Sequence, residues 1–392
     1  MRDATQPRSF WIFTLLLAAC VTHLGSSRWR SSPSATGVST TPSTTARTPE
    51  GRYSSLTTTS DTPSPSRRML PHDEDYVPTP TPTVDPWIQM GEDIADTAGC
   101  SGYSYQGVNF GSILSSSGDG SRLAVSRPSN YVRFYEWSDA TNWTMSSEIG
   151  LQTNGFGSSM QISRDGTHVV IGGAGMVSVY EYKSNAWTVK GSTLQSENSP
   201  HNGYGDSVSI SDDGTRVAVG EPQHGNNPFN CTNEASQGAV RVYEWKIGQS
   251  RWDKMGSNFF CHNKTDDKVG YSVSISGDGN RVAVGAPGAD GPDVCWDWYG
   301  CYSSSPNMGQ VRVYEWSANA WQLMGGIPGG YIGGASNSEL GTSIALSRDG
   351  SRVIAGAPLH NSCQSSGSAR VYEWNSTSWM QIGSDLTSSC IY

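Results

Sequence analysis

From about residue 86 onward, short runs alternate apolar and polar residues between clusters of turn formers. This period-two pattern predicts half-buried β-strands. The clearest stretch is Gly270–Gly325, with alternating runs at Tyr271–Ser276, Arg281–Ala286, Gln310–Trp316 and Trp321–Gly325. Ser-Gly-Asp-Gly separates the first two runs, a Cys/Trp-rich insertion the next two, and Ser-Ala-Asn-Ala the last two. Tight reversals between alternating runs predict hairpins, so the stretch reads as a four-stranded antiparallel meander.

Much of this unit occurs five times. First strands are expected at Gly111–Ser115, Gly157–Ser163, Gly205–Ser211, Gly270–Ser276 and Gly341–Ser347, each followed by an Asp-Gly turn at Asp119, Asp165, Asp213, Asp278 or Asp349. Second strands carry Leu123–Val125, Val169–Ile171, Val217–Val219, Val282–Val284 and Val353–Ala355. Third strands end in Tyr135–Trp137, Tyr180–Tyr182, Tyr243–Trp245, Tyr314–Trp316 and Tyr372–Trp374, and fourth strands open with Trp143, Trp187, Trp252, Trp321 and Trp379. A single meander, apolar on both faces, is not stable alone, whereas meanders set around an axis bury both faces against their neighbours. The recurring aromatics suit this, since each buries ~150–250 Å². The expected fold is an all-β β-propeller of five four-stranded blades, with a solenoid of stacked hairpins as the alternative. Trp87–Gly91 repeats the fourth strand with no first three before it, a spare N-terminal outer strand. Either a five-bladed ring tolerates that strand, or the chain is a fragment of a six- or seven-bladed ring.

The string GYSVSIS…RVAVGAP…GQVRVYEW resembles the FG-GAP repeat of integrin-α-type propellers, in which a Phe-Gly or Gly-x-Ser strand precedes Gly-Ala-Pro. Gly285–Pro287 and Gly356–Pro358 keep Gly-Ala-Pro, Gly220–Pro222 reads Gly-Glu-Pro, Ser126–Pro128 reads Ser-Arg-Pro, and the second unit has Gly172-Gly173-Ala174. The resemblance spans Trp87–Tyr392 and implies a propeller. Calcium-binding members of that family hold the ion in a longer first hairpin loop of D-x-D/N-x-D-G type. Here the loop is Ser-x-Asp-Gly with one carboxylate, or two where Asp212 precedes Asp213. Calcium takes about six to eight oxygens, so no metal site of that kind and no cofactor are expected. The recurring aspartates read instead as turn formers.

The net charge of −9 and pI near 5.2, with no basic stripe, argue against nucleic acid as a partner. Arg2 and Arg8 precede the apolar run Phe10–Leu24, so residues 1–30 read as a signal peptide or signal anchor; Leu17–Cys20 also resembles a bacterial lipobox. Residues 31–85 are dominated by Ser, Thr and Pro and read as a disordered stalk, leaving 86–392 for the propeller. Eight cysteines and the sequons at Asn142, Asn230, Asn263 and Asn375 fit secretion or the extracellular side of a membrane, with membrane contact only through an N-terminal anchor.

Repetition sorts scaffold from site. Arg122, Arg216, Arg281 and Arg352, with His168 as the exception, recur at the head of the second strand, and Glu136, Glu181, Glu244, Glu315 and Glu373 recur in a third strand expected to be buried. They are expected to pair. The long insertions Glu221–Ala239, Pro287–Gly309 and Leu359–Ser368 and the connectors Ser257–Val269 and Gly326–Leu340 are expected on one face, where binding residues usually sit. The same geometry predicts the bridges Cys231–Cys261, Cys363–Cys390 and Cys295–Cys301, with Cys100 left over. The sharpest candidate site is Asp293–Cys301, where Trp296, Asp297, Trp298 and Tyr299 would stack on sugar rings or anchor a protein partner. Asp290, Asp293 and Asp297 are a weaker set of cation ligands. His201, His224, His262 and His360 fall on the same face but are scattered, and no Ser/His/Asp order or His-x-His spacing marks a catalytic or zinc site. No catalytic residue is assigned. The expected function is an extracellular module binding a protein or glycan through its long-loop face; the alternatives are a propeller glycoside hydrolase or lyase and a structural wall or matrix glycoprotein.

Overall fold

The computed structural model describes residues 89–95, 110–138, 142–150, 155–196, 203–223, 238–257, 266–291, 293–296, 300–303, 305–325, 331–360 and 367–387. The leader (1–30) and stalk (31–85) lie outside the described residues.

The sheets follow the repeat. Blade I is β1 (Ile113–Ser116), β2 (Arg122–Arg127), β3 (Tyr131–Ser138) and β4 (Asn142–Gly150). Blade II is β5 (Ser159–Ile162), β6 (His168–Gly173), β7 (Met176–Lys183), β8 (Ala186–Val189) and a short β9 (Leu194–Gln195). Blade III is β10 (Ser207–Ile210), β11 (Arg216–Glu221), β12 (Ala239–Lys246) and β13 (Arg251–Lys254). Blade IV is β14 (Ser272–Ile275), β15 (Arg281–Ala286), β18 (Gln310–Ser317), β19 (Ala320–Leu323) and β20 (Ile332–Gly333); the separate ribbon β16 (Asp293–Trp296) and β17 (Gly300–Ser303) interrupts it. Blade V is β21 (Ser343–Leu346), β22 (Arg352–Ala357), β23 (Ser368–Trp374), β24 (Trp379–Gln381) and β25 (Leu386–Thr387). Each blade is an antiparallel meander in chain order, and β9, β20 and β25 add a fifth edge beside β7, β18 and β23. The architecture is all-β and propeller-like.

The first turn of each blade explains its Ser-x-Asp-Gly. In blade I the Asp119 carboxylate accepts from Ser117 Oγ at 2.6 Å and from Ser121 N at 3.0 Å, while Ser117 Oγ accepts from Arg122 N at 3.0 Å. Gly120 stands at φ +71°, in the left-handed region where a Cβ is penalised. The Ser117 hydrogen bond, followed by the Ser121 backbone, holds the Asp119 carboxyl down to about 2. Burial raises Asp165, Asp213, Asp278 and Asp349, but the same bonds outweigh it and all four end below the ordinary value.

The ladder register then sets the expected ion pairs. Arg122 and Glu136 are cross-strand partners, as are the equivalents in the other blades. The nitrogen–oxygen distances are 2.7 Å for Arg122–Glu136, 2.9 Å for Arg216–Glu244, 2.8 Å for Arg281–Glu315 and 2.7 Å for Arg352–Glu373. The glutamates are 25–43% exposed rather than buried, because the register sets them at the Asp-Gly turn end of the sheet, opposite the first residue of the second strand. Pairs so exposed contribute only about 0–1 kcal/mol each.

Packing between blades repeats as well. Four buried clusters each join one blade to the next, I to II through IV to V. A fifth, Ala345, Ile354 and Ala369 with Val371, belongs to blade V alone. Inner strands are stitched in the same order: Ser115 Oγ accepts Ile162 N (2.9 Å), Gln161 Oε1 accepts Ile210 N (2.7 Å), Ser209 Oγ accepts Ile275 N (3.0 Å) and Ser274 Oγ accepts Leu346 N (2.9 Å). Blade V has Ala345 at this position, and the series stops. Among the described residues no buried cluster joins blade V to blade I.

At the rim, three of the five fourth-strand tryptophans hydrogen-bond back to the segment before their blade. Trp252 Nε1 donates to Lys190 O at 2.8 Å and Trp321 Nε1 to Met255 O at 3.1 Å. Trp143 Nε1 donates in the same way to Met90 O at 3.2 Å, so Met90-Gly91 stands where the end of a preceding fourth strand would. The expected spare outer strand is nevertheless not a strand across Gln89–Ala95. Among the described residues no third strand lies beside it to form a ladder, so the sequence match is realised as a tryptophan contact and not as sheet.

Candidate functional site

Antiparallel order places the Asp-Gly turns on one face and the second-to-third loops and blade connectors on the other. The two faces differ. Every first turn is built alike, whereas the opposite face carries unlike segments, of which the β16–β17 ribbon is the largest described.

That ribbon grows from a well-fixed base. Gly291 N donates to Ser305 O at 2.8 Å, Gly309 N to Ala289 O at 2.9 Å, and Gln310 Nε2 to Asp290 O at 3.0 Å. The Asp290 carboxylate accepts from Asn307 N at 2.9 Å and so closes the base of the loop. In the ribbon, Cys295 pairs in register with Cys301 and Trp296 with Gly300. Trp296 therefore ends β16 at the tip. Asp297, Trp298 and Tyr299 lie outside the described residues, as do Cys100, Cys231, Cys261, Cys363, Cys390, Asn230, Asn263, His201, His224 and His262. His360 sits 3.4 Å by Nε2 from Arg370 Nη2, and Arg370 is paired with Asp385 at 2.9 Å. Among the described residues no group of three or more His, Cys, Asp or Glu is placed to hold a metal ion.

Of the sequons, Asn375 is exposed, and its Oδ1 accepts from Thr377 N at 3.0 Å and Ser378 N at 2.8 Å. The amide nitrogen, the atom a glycan would modify, takes part in neither bond. Asn142 is half-buried, its Oδ1 accepting from Trp143 N at 3.0 Å and Glu92 N at 3.4 Å.

A second arginine series escaped the sequence reading. Arg133, Arg241, Arg312 and Arg370 each stand two residues before the third-strand tyrosine, with Ser178 in blade II. They lie toward the long-loop end and bind locally: Arg133 to Glu148 (2.8 Å), Arg312 to Gln310 Oε1 (3.2 Å) and Arg370 to Asp385. In blade III the pair is sealed. Arg241 Nη1 meets Glu221 Oε2 with both side chains 0% exposed, and Ser196 Oγ donates to Glu221 Oε1 at 2.6 Å. The Arg241 guanidinium lies 5.3 Å from the Tyr204 ring centre, and Tyr204 OH donates to Tyr243 OH at 3.0 Å. Burial, then the neighbouring Tyr243, drives the Tyr204 phenol well above its ordinary value. This explains why Gly-Ala-Pro becomes Gly-Glu-Pro at Gly220–Pro222. A buried guanidinium needs a carboxylate, and Glu221 supplies it. The Val-Arg-Val-Tyr-Glu-Trp string was the available signal.

Two cavities complete the picture. One of about 230 Å³ runs between the inner strands of all five blades and reaches the turns at Gly118, Arg164, Asp212, Gly277 and Arg348. Near the other end of the inner strands, Asp206 is reached by solvent yet surrounded by protein, and this desolvation raises its carboxyl to about 6. Asp206 and Glu339 both act on Tyr271 there. The second cavity, about 540 Å³, lies between Met90–Ile94 and the front of blade I and is lined by Phe110, Leu114, Leu123 and Trp143. Blade I carries Ser116 where the other blades have Ile162, Ile210, Ile275 or Leu346, and Leu114 in the cavity wall is 49% exposed.

No protein-family model matches the chain, and no curated protein matches it.

Proposed function

We propose that the chain is an extracellular or cell-surface propeller of the FG-GAP type that binds a protein or glycan through its long-loop face, with the β16–β17 ribbon as the contact element. The blades form five sectors around the central cavity, and the gap between blades V and I is where the ring either closes or takes a further blade. The observation that carries the binding reading is the asymmetry of the faces. The Asp-Gly turns are five copies of one hydrogen-bonded device, whereas among the described residues the ribbon occurs once, and it rests on a base fixed by Asp290 and Gln310. A rigid scaffold that spends unlike segments on one face is the usual layout of a recognition surface. Trp296, Trp298 and Tyr299 supply flat apolar surface of the kind that stacks on sugar rings or fills a protein pocket.

The test is a glycan array together with affinity capture from extracellular fractions, run on the whole secreted chain and on the Trp296→Ala/Trp298→Ala variant. Specific binding to a glycan or to one protein, lost in the variant with an unchanged melting curve, supports the reading. Binding that survives the double change places the contact elsewhere. Hydrolysis or eliminative cleavage of a polysaccharide by the purified chain would replace it with the enzyme alternative.

A further inference from the structure

We propose that the turn end of the central cavity binds a small carboxylate through Arg164. The repeat itself indicates this chemistry. In blades III to V, Arg348 lies over Gly277, where a Cβ would stand 2.7 Å from Arg348 Cγ, and its guanidinium pairs with Asp212. Gly277 N donates to Arg348 O at 2.8 Å, fixing the two turns together. The same construction is repeated in blades I and II. Gly118 N donates to Arg164 O at 2.8 Å, and a Cβ on Gly118 would stand 2.2 Å from Arg164 Cγ. The Arg164 side chain thus crosses Gly118 as Arg348 crosses Gly277. What differs is the end of the reach. Arg348 meets a carboxylate one blade further back, whereas among the described residues the guanidinium of Arg164 has no hydrogen bond or ion pair, and none of them supplies an aspartate in the place that Asp212 takes beside Arg348.

The cavity walls favour the same ligand. The charged residues lining it are Arg164, Arg348 and Asp212, and the Arg348–Asp212 pair cancels, leaving one positive charge. The stitching bonds occupy acceptors: Ser115, Ser209 and Ser274 Oγ each accept a backbone N–H, and Gln161 accepts through Oε1. Each hydroxyl keeps its own proton to donate, and Gln161 keeps its amide N–H groups. A cavity that offers hydroxyl and amide donors around one unpaired guanidinium suits an anion, and a planar guanidinium suits a carboxylate. Its volume of about 230 Å³ admits a single small group. The carboxylate has two possible sources, a free small acid or a uronic acid residue of a glycan, and the chemistry at Arg164 is shared.

Isothermal titration of the whole chain at low salt and pH 7 tests this with acetate, glucuronate, the methyl ester of glucuronate, glucose and a glucuronate-containing tetrasaccharide. Glucuronate is expected to bind, with its methyl ester and glucose at least about tenfold weaker, because neither carries the charge. Arg164→Gln should weaken glucuronate by about tenfold or more, and Asp212→Asn, which frees Arg348, should tighten it. Tetrasaccharide binding at least as tight as glucuronate identifies the glycan source, and acetate binding without it the free acid. Equal binding of glucuronate and its ester, no binding of any acid, or full binding by a folded Arg164→Gln chain overturns the proposal. The ester comparison needs no variant and holds even if Arg164→Gln fails to fold.

Discussion

Gly191 and Gly383 follow the fourth strands of blades II and V at equivalent positions, and they make forecasts of different size for the same substitution. Both have positive φ, +80° and +74°, so alanine at either carries the left-handed penalty of about 1–2 kcal/mol. Their surroundings differ. A Cβ at Gly191 would stand 2.7 Å from Trp245 and 3.1 Å from Trp252, whereas one at Gly383 would meet nothing within 4 Å. The tryptophans have little freedom to yield, since their rings pack 5.3 Å apart and Trp252 Nε1 is bonded to Lys190 O at 2.8 Å. Overpacking of this kind costs a further ~1–3 kcal/mol. Gly191→Ala should therefore destabilise by about 2–5 kcal/mol and Gly383→Ala by about 1–2 kcal/mol. Gly256→Ala, whose Cβ would lie 3.1 Å from Trp316, should fall between them. Guanidinium unfolding followed by tryptophan fluorescence reads the order directly. Equal losses at 191 and 383 would refute the reasoning, because they would mean that a blade or segment covers the rim of blade V as blade III covers that of blade II.

Blade II offers a compensated exchange to reverse. His168 replaces the arginine of the other blades and Lys190 the methionine or isoleucine of blades III to V; Lys190 Nζ lies 2.8 Å from His168 Nε2 and donates to Gly214 O at 3.2 Å, the role Arg281 Nη1 plays toward Gly350 O at 3.1 Å. His168→Arg alone should destabilise by crowding two cations, Lys190→Met alone by removing the donor, and the pair together should recover ~0.5–3 kcal/mol in a double-mutant cycle. Burial, and for His168 also the Lys190 charge, pulls both groups below their ordinary values, so a carbon-detected NMR titration should find His168 neutral at pH 7. Asp206 titrates near 6 when folded against 3.8 ordinarily, so the folded chain binds its proton more tightly and stability should fall as pH rises between those values. Asp206→Asn should flatten that part of the melting temperature–pH curve, and an unchanged curve would contradict it. Cys295 and Cys301 are cross-strand partners in register, so alkylation without reduction should leave both unlabelled in the purified chain, and Cys295→Ser should expose Cys301 to the reagent.

The blades were legible because their signals are local. Alternation fixes which residues share a face, and a tight Asp-Gly turn fixes the register, so Arg122 opposite Glu136 follows from the spacing once the hairpin is drawn. The turn aspartates and the fourth-strand tryptophans followed for the same reason. The ribbon at Asp293–Ser303 was visible as the insertion that breaks the period, although its side-chain surface was not. Arg241 was harder to read. Its local sequence resembles that around the half-buried Arg133, Arg312 and Arg370, and only its complete burial makes Glu221 obligatory.

The sequence by itself determined the five meanders, their strand order, their turns and the pairs within each sheet, all of which depend on residues a few positions to a few tens of positions apart. Only the tertiary structure decided what happens between blades. Ser115, Gln161, Ser209 and Ser274 look like ordinary strand residues until the next blade presents an N–H to each, and Ala345 gains meaning only as the place where that series ends. Arg348 and Asp212 are 136 positions apart and meet over Gly277, whereas Arg164, built the same way over Gly118, meets no such partner. The physical reason is that alternation specifies the facing of a side chain but not its neighbour across a blade interface. That neighbour is set by the packing of whole sheets, and blades V and I, which no buried cluster joins among the described residues, are where identical local sequence has different consequences.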